Sequence, residues 1–372
     1  MLSKFIDIII YAGILQGFFL AFILTTAKNS KRKANRVLAA LLIALSISIL
    51  HSNLDLGHVP IPYKIKEPFI LLIGPLLLLY IREFTKTRMF VLKDVFHFIP
   101  FVLFFLILLP VWVLGTNTNY GVFLFNNSMI ITRIGWALVV LQYGYYWWKI
   151  IRTLHIYRFA VETEFSTIEG KTLSWLMGFL HVFGMFFLPL IATLFIALHS
   201  ENYLLIDNII CVALSITIFV LGYYGLFQEE VFSNLIAIPL AVNTRAKSDE
   251  TLSEKQPGAK NSEDVKRILS YVETEKPYLD EELTLTKLAE QVGITRNQLS
   301  AIINSNLNSS FYDFINGYRV QEVKRLIADP ENKNFTILAL AFEAGFSSKS
   351  AFNNIFKKIT GITPSVYREN LQ

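Results

Sequence analysis

Arg296, Asn297, Ser300 and Ala301 are matched 53 residues later by Lys349, Ser350, Asn353 and Asn354. Side chains of these types read the edges of nucleic-acid bases: Arg and Lys suit the acceptors of guanine, and Asn suits adenine. Gln298 and Lys357, with Lys358 beside it, stand at neighbouring positions suited to phosphate oxygens. No competing chemistry is legible elsewhere. The chain contains no HExxH, no phosphate-binding glycine loop and no Cys/His nucleophile arrangement, so neither catalysis nor a metal or cofactor is expected. Its one cysteine, Cys211, lies inside an apolar run, which leaves no disulfide framework.

Such residues must project from helices to act together, and the surrounding sequence supplies two. In TLTKLAEQVGITRNQLSAIIN, Thr284 caps a helix whose buried face is Leu285, Leu288, Ala289 and Val292. Gly293 suits a left-handed turn, and Thr295 opens a second helix with Gln298 completing a capping box. Leu299, Ile302 and Ile303 form the inner stripe of that helix. The same unit returns in FTILALAFEAGFSSKSAFNNIF, where Ile337, Leu340, Ala341, Ala344 and Gly345 stand 52 residues after their counterparts. Past the turn the offset becomes 53, which brings Ser348, Phe352, Ile355 and Phe356 into register and lengthens the second turn by one residue. Between the units, FYDFINGYRVQEVKRLIADP predicts a helix with Phe311, Phe314, Ile315 and Tyr318 on one face, stopped at Asp329 and Pro330. A rod of that length, about 25 Å, sets two recognition helices into successive major-groove segments on one face of DNA.

With these motifs in place, residues 263–372 resemble the DNA-binding domain of the AraC/XylS family of bacterial transcription regulators. The closing FKKITGITPSVYR matches the ending of that family, with Gly361 terminating the second recognition helix, Thr363 and Pro364 opening the last one, and Tyr367 packing back on the domain. The resemblance implies the same outward positions for base contact. Charge alone is a weaker guide: residues 263–372 hold 13 Lys and Arg against 14 Asp and Glu, and the balance turns positive, 9 against 6, from Thr295 onward. Modest affinity for one DNA copy is expected, so a homodimer or paired sites would help.

The first 228 residues are of another kind. The 372-residue chain is 53% hydrophobic and only 17% charged, and the charges of the first part cluster between long apolar runs. Seven runs near the roughly 20 residues a bilayer requires fall at 5–26, 35–54, 67–84, 97–115, 128–149, 173–198 and 204–227. Lys and Arg concentrate in the first, third and fifth loops, and none occurs in GTNTNYGVFLFNN or HSENYLL. By the positive-inside rule the N-terminus lies outside and the C-terminal part in the cytoplasm. The fold expected is therefore all-α: a seven-transmembrane helix bundle over 1–228, a cytoplasmic linker over 229–262, and an AraC-type domain with two helix-turn-helix units over 263–372.

Asp7, Arg133 and Asp207 fall near the outer ends of their spans, as candidates for sensing a signal. The Gly13–Gly17 pair suits close packing within the bundle. These features predict a regulator in the bacterial inner membrane, with double-stranded DNA and the lipid bilayer as partners, together with itself and RNA polymerase. The rival is a transporter or channel with a regulatory tail. Residues 243–262, NTRAKSDETLSEKQPGAKNS, read as a flexible tether that controls association more than geometry.

Overall fold

The computed structural model describes residues 2–26, 32–53, 68–85, 91–114, 118–169, 171, 173, 175–178, 180–181, 203–227 and 258–371. Helices account for nearly all of them, and among the described residues the sole extended pairing is an isolated antiparallel bridge between Phe165 and Thr284. The chain divides into two compact units. One comprises Met1–His155 and Leu173–Ile238; the other comprises Ile156–Thr172 and Pro239–Gln372.

In the first unit α1 (Leu2–Thr26), α2 (Arg32–Asn53), α3 (Ile70–Thr85) and α7 (Tyr203–Phe227) pack on one another, while α4 (Ile99–Leu114), α5 (Asn119–Asn126) and α6 (Ser128–Glu164) follow α3. Small residues set how closely the helices approach. A side chain at Gly13 would collide with Ser215 of α7, one at Gly17 with Ser46 of α2, and one at Gly225 with Leu38 of α2. The Gly13–Gly17 pair therefore serves packing inside the bundle, as its spacing suggests. Along α1, Ile10, Ile14, Leu20 and Leu24 are buried while Ile8, Leu15, Phe19 and Phe22 are exposed. A helix equally greasy on both faces is what an apolar solvent selects. Arg82 at the end of α3 forms a buried, two-pronged ion pair with Asp94, at 2.9 and 3.0 Å.

The expectation of seven spans is corrected. Among the described residues four helices are long and apolar enough to cross a membrane: Ile6–Thr26, Lys33–His51, Leu92–Pro110 and Asn208–Phe227. The third expected span forms α3, whose 16 residues fall short of a crossing of about 20. The fifth lies inside the 37-residue α6, where Arg133, Gln142 and the Tyr145, Tyr146, Trp147, Trp148 run dilute its apolar character. The fourth starts earlier than expected, in a 3-10 turn at Leu92. Most of the sixth, 173–198, lies outside the described residues, as do residues 229–257 of the expected linker.

The second unit begins in chain order with the end of α6 and the segment after it, then resumes with α8 (Gly258–Glu275), α9 (Leu285–Val292), α10 (Arg296–Ser305), α11 (Phe311–Ala328), α12 (Ile337–Glu343), α13 (Lys349–Thr360) and α14 (Pro364–Glu369). Two apolar clusters hold it together. Leu285, Leu288, Leu299, Ile302, Phe311 and Ile315 belong to the first; Val320, Val323, Leu340, Phe352, Ile355 and Phe356 belong to the second. One helix, α11, supplies both, its N-terminal half to the first cluster and its C-terminal half to the second.

Candidate nucleic-acid interface

Each recognition helix is held by the same local chemistry. Thr284 and Thr336 cap α9 and α12, accepting the backbone N–H of Lys287 at 3.1 Å and of Ala339 at 3.1 Å. Gly293 and Gly345 then take left-handed conformations, φ 77° and 91°, and turn the chain. Thr295 opens α10 in a capping box, its backbone N–H donating to Gln298 Oε1 at 3.0 Å. Ser348 opens α13 by accepting from Ala351 N at 3.2 Å. The extra residue of the second turn is absorbed there: Phe346 is buried in the core and Ser347 is exposed. Gly361 ends α13 at φ 81°, Thr363 caps α14 with Pro364 at its first position, and the Tyr367 ring meets that of Phe356 edge-on at 5.5 Å.

The 18 residues of α11 span about 27 Å and bind both units into one domain. Of the residues expected to read DNA, Asn297, Ala301, Lys349, Ser350, Asn353, Asn354 and Lys357 are exposed on α10 and α13. Ser300 is half-buried and accepts from Asn304 Nδ2 at 3.3 Å. Gln298 is exposed, with its carbonyl oxygen engaged by the capping box, which leaves its amide N–H groups to donate. Lys358 is paired with Asp313 at 2.7 Å.

Arg296 is placed differently. Its Nε donates to Glu164 Oε2 at 2.8 Å, and its side chain is 29% exposed against 0% for the glutamate. Thr286 donates to the other Glu164 oxygen at 2.7 Å. On the second unit Ser350 donates to Glu169 Oε1 at 2.8 Å. Between these two acids, the Ser166 carbonyl accepts from Asn316 Nδ2 at 3.0 Å and Arg319 Nη1 at 3.1 Å. Arg319 is buried and spends its remaining donors on Asn316 Oδ1, Ser166 Oγ and the carbonyls of Tyr278 and Asp280. Burial pulls its pKa down to about 10, with the charge of Asp280 as the main opposing influence, so it stays charged at neutral pH. Glu164, Ser166, Glu169, Asn316 and Arg319 carry no signal in the helix-turn-helix pattern. The trace they leave in the sequence is an arginine at Arg319, four residues after Ile315 on a face that is otherwise core.

The candidate sensing residues belong to the first unit. Asp7 is exposed on α1, while Arg133 and Asp207 lie on α6 and α7 with side chains outside the described residues.

Residues 288–370 match the family model described as a helix-turn-helix domain. The C-terminal part thus holds a helix-turn-helix domain. An uncharacterized HTH-type transcriptional regulator of Staphylococcus aureus (strain COL) is 32% identical over 108 residues, which is 29% of this chain and 14% of that protein. The melibiose operon regulatory protein of Escherichia coli (strain K12) is 31% identical over 90 residues, 24% of this chain and 29% of that one. The similarity thus covers less than a third of either relative. No solved structure matches the chain.

Proposed function

We propose that the protein is a membrane-embedded, one-component transcription regulator whose C-terminal domain, 263–372, binds double-stranded DNA sequence-specifically. The observation that carries this reading is the duplicated surface. Two capped recognition helices present residues at equivalent repeat positions, Asn297 and Ala301 on α10 and Ser350 and Asn354 on α13, from the common scaffold α11. The relatives, one named as an HTH-type transcriptional regulator and one as an operon regulatory protein, support the same function. Exposed apolar faces on the four candidate spans support residence of 1–228 in the bacterial inner membrane, with the linker 229–262 and the DNA reader on the cytoplasmic side and a signal entering through the membrane module. The near-neutral charge of the reader supports binding by a homodimer or at paired sites, where it would meet RNA polymerase.

Footprinting of duplexes selected from a random pool tests this. Asn354→Ala is expected to weaken recognition in one half of the footprint and Arg296→Ala in the other, by on the order of 1–3 kcal/mol per base contact. Equal losses on selected and random DNA would assign these residues to phosphates, and selection of no sequence would leave the domain a scaffold without a reader's function.

A further inference from the structure

Both recognition helices hold a carboxylate at their first turn, and both carboxylates come from one short segment outside the domain, Glu164 to Glu169. Nine hydrogen bonds dock this segment. Besides those of Glu164, Ser166 and Glu169 described above, Ser166 Oγ donates to the Leu283 carbonyl at 2.8 Å and Thr167 Oγ1 donates to the Glu281 carbonyl at 2.7 Å. The Ser166 N–H reaches the same Leu283 carbonyl at 3.2 Å and closes the bridge between Phe165 and Thr284. Its seat is preformed, because Asn316 and Arg319 belong to α11, the scaffold of the reader.

We infer that residues 164–169 are an intramolecular competitor of DNA: a clasp that takes the Arg296 guanidinium and the Ser350 hydroxyl out of use until the clasp is withdrawn. The inference rests on the DNA-reading function proposed above. The Arg296 Nε is already committed to a carboxylate shielded from water, where a charge-assisted hydrogen bond is strong, so a DNA oxygen gains that donor only by displacing Glu164. A duplex approaching α10 and α13 must displace Glu164 and Glu169 or place its phosphates against them, and like charges at such range repel. The clasp also has a source of movement. It begins at the last residue of α6, whose residues up to His155 belong with the helices of the first unit, and Leu173 onward rejoins that same unit. A change in the membrane module therefore reaches the DNA-reading residues along a continuous segment of about ten residues, without passing through the tether at 243–262.

The test uses the full-length protein in detergent with Cys211→Ser, carrying Phe165→Cys and Thr284→Cys. These two residues form a non-hydrogen-bonded antiparallel pair, whose Cα separation of about 4.5 Å lies within the range a disulfide accepts. Oxidised and reduced forms of this single variant are compared on a duplex selected from a random pool by the reduced form, so that any cost of losing the Thr284 cap is common to both. The locked form is expected to bind at least tenfold more weakly. A companion, Glu164→Gln with Glu169→Gln, is expected to bind about tenfold more tightly than the parent, the worth of one charge-assisted hydrogen bond. Equal or tighter binding by the locked form overturns the clasp while leaving the DNA reader intact. Failure of the reduced form to select any duplex overturns the reader and the clasp with it.

Discussion

Arg319 is a buried cation without a carboxylate within ion-pair range among the described residues, and its charge is carried by the carbonyls of Ser166, Tyr278 and Asp280. Removing it strands those oxygens and opens a cavity at the junction of α11 and residues 164–169. Arg319→Ala is expected to cost on the order of 3 kcal/mol, read as faster amide hydrogen exchange across α9 and α11. Glu322 makes a second polar knot, accepting from Arg325 Nη2 at 2.8 Å and from Lys276 Nζ at 3.3 Å. Chiefly the hydrogen bond from Arg325 holds its pKa below the ordinary 4.5. The folded state thus binds this proton less readily than the unfolded chain does, so the stability it contributes is complete above that value and declines as pH falls below it. Glu322→Gln should flatten the loss of exchange protection in α11 on acidification below pH 4.5; an unchanged acid profile would show that Glu322 does not set it.

At the scale of the element, the two helix-turn-helix units share a pattern and differ in tolerance. Gly293 and Gly345 both require positive φ, at 77° and 91°. A Cβ at Gly293 would meet only the end of the flexible Arg267 side chain, at 3.1 Å, whereas one at Gly345 would drive into the backbone carbonyls of Tyr278 and Leu279. Gly293→Ala is expected to cost about 1–2 kcal/mol, the left-handed penalty alone. Gly345→Ala should cost more and lower the thermal midpoint of the C-terminal domain further; equal shifts would show that the neighbouring backbone yields. Both units are legible in the sequence because caps, turn glycines and apolar stripes act over a few residues. The apolar first part is less legible: the run at 128–149 reads as a separate span, yet it lies inside a single 37-residue helix, α6, and no local signal marks where that helix ends.

For the molecule as a whole, orientation and coupling decide function. On the proposed topology, which rests on the positive-inside reading of the Lys- and Arg-rich loops, alkaline phosphatase fused after Asn202 is expected to be active and after Lys260 inactive. Activity at the second site would remove the reader from contact with DNA. If the clasp is the main route of coupling, inserting about ten Gly and Ser residues within 243–262 should leave regulation largely intact, since that tether sets local concentration while residues 164–169 carry geometry. Regulation abolished by the insertion, with protein level and DNA binding normal, would assign the coupling to the tether.

The amino-acid sequence by itself determined the helical character of the chain, the apolar first part, the duplicated unit and the outward positions of Asn297, Ala301, Lys349, Asn353, Asn354 and Lys357. Periodicity and capping are written in neighbouring residues, and the exposed positions are what remains once a buried stripe is assigned. The state of Arg296 was decided by tertiary structure alone. Its partner, Glu164, lies 132 residues away, and Arg319 meets Ser166 across 153 residues. Neither pairing has a period, and the acceptor offered by Ser166 is largely a backbone carbonyl, a group every residue carries. Which carbonyl a buried arginine finds depends on how the chain returns to it, and residue type does not record that.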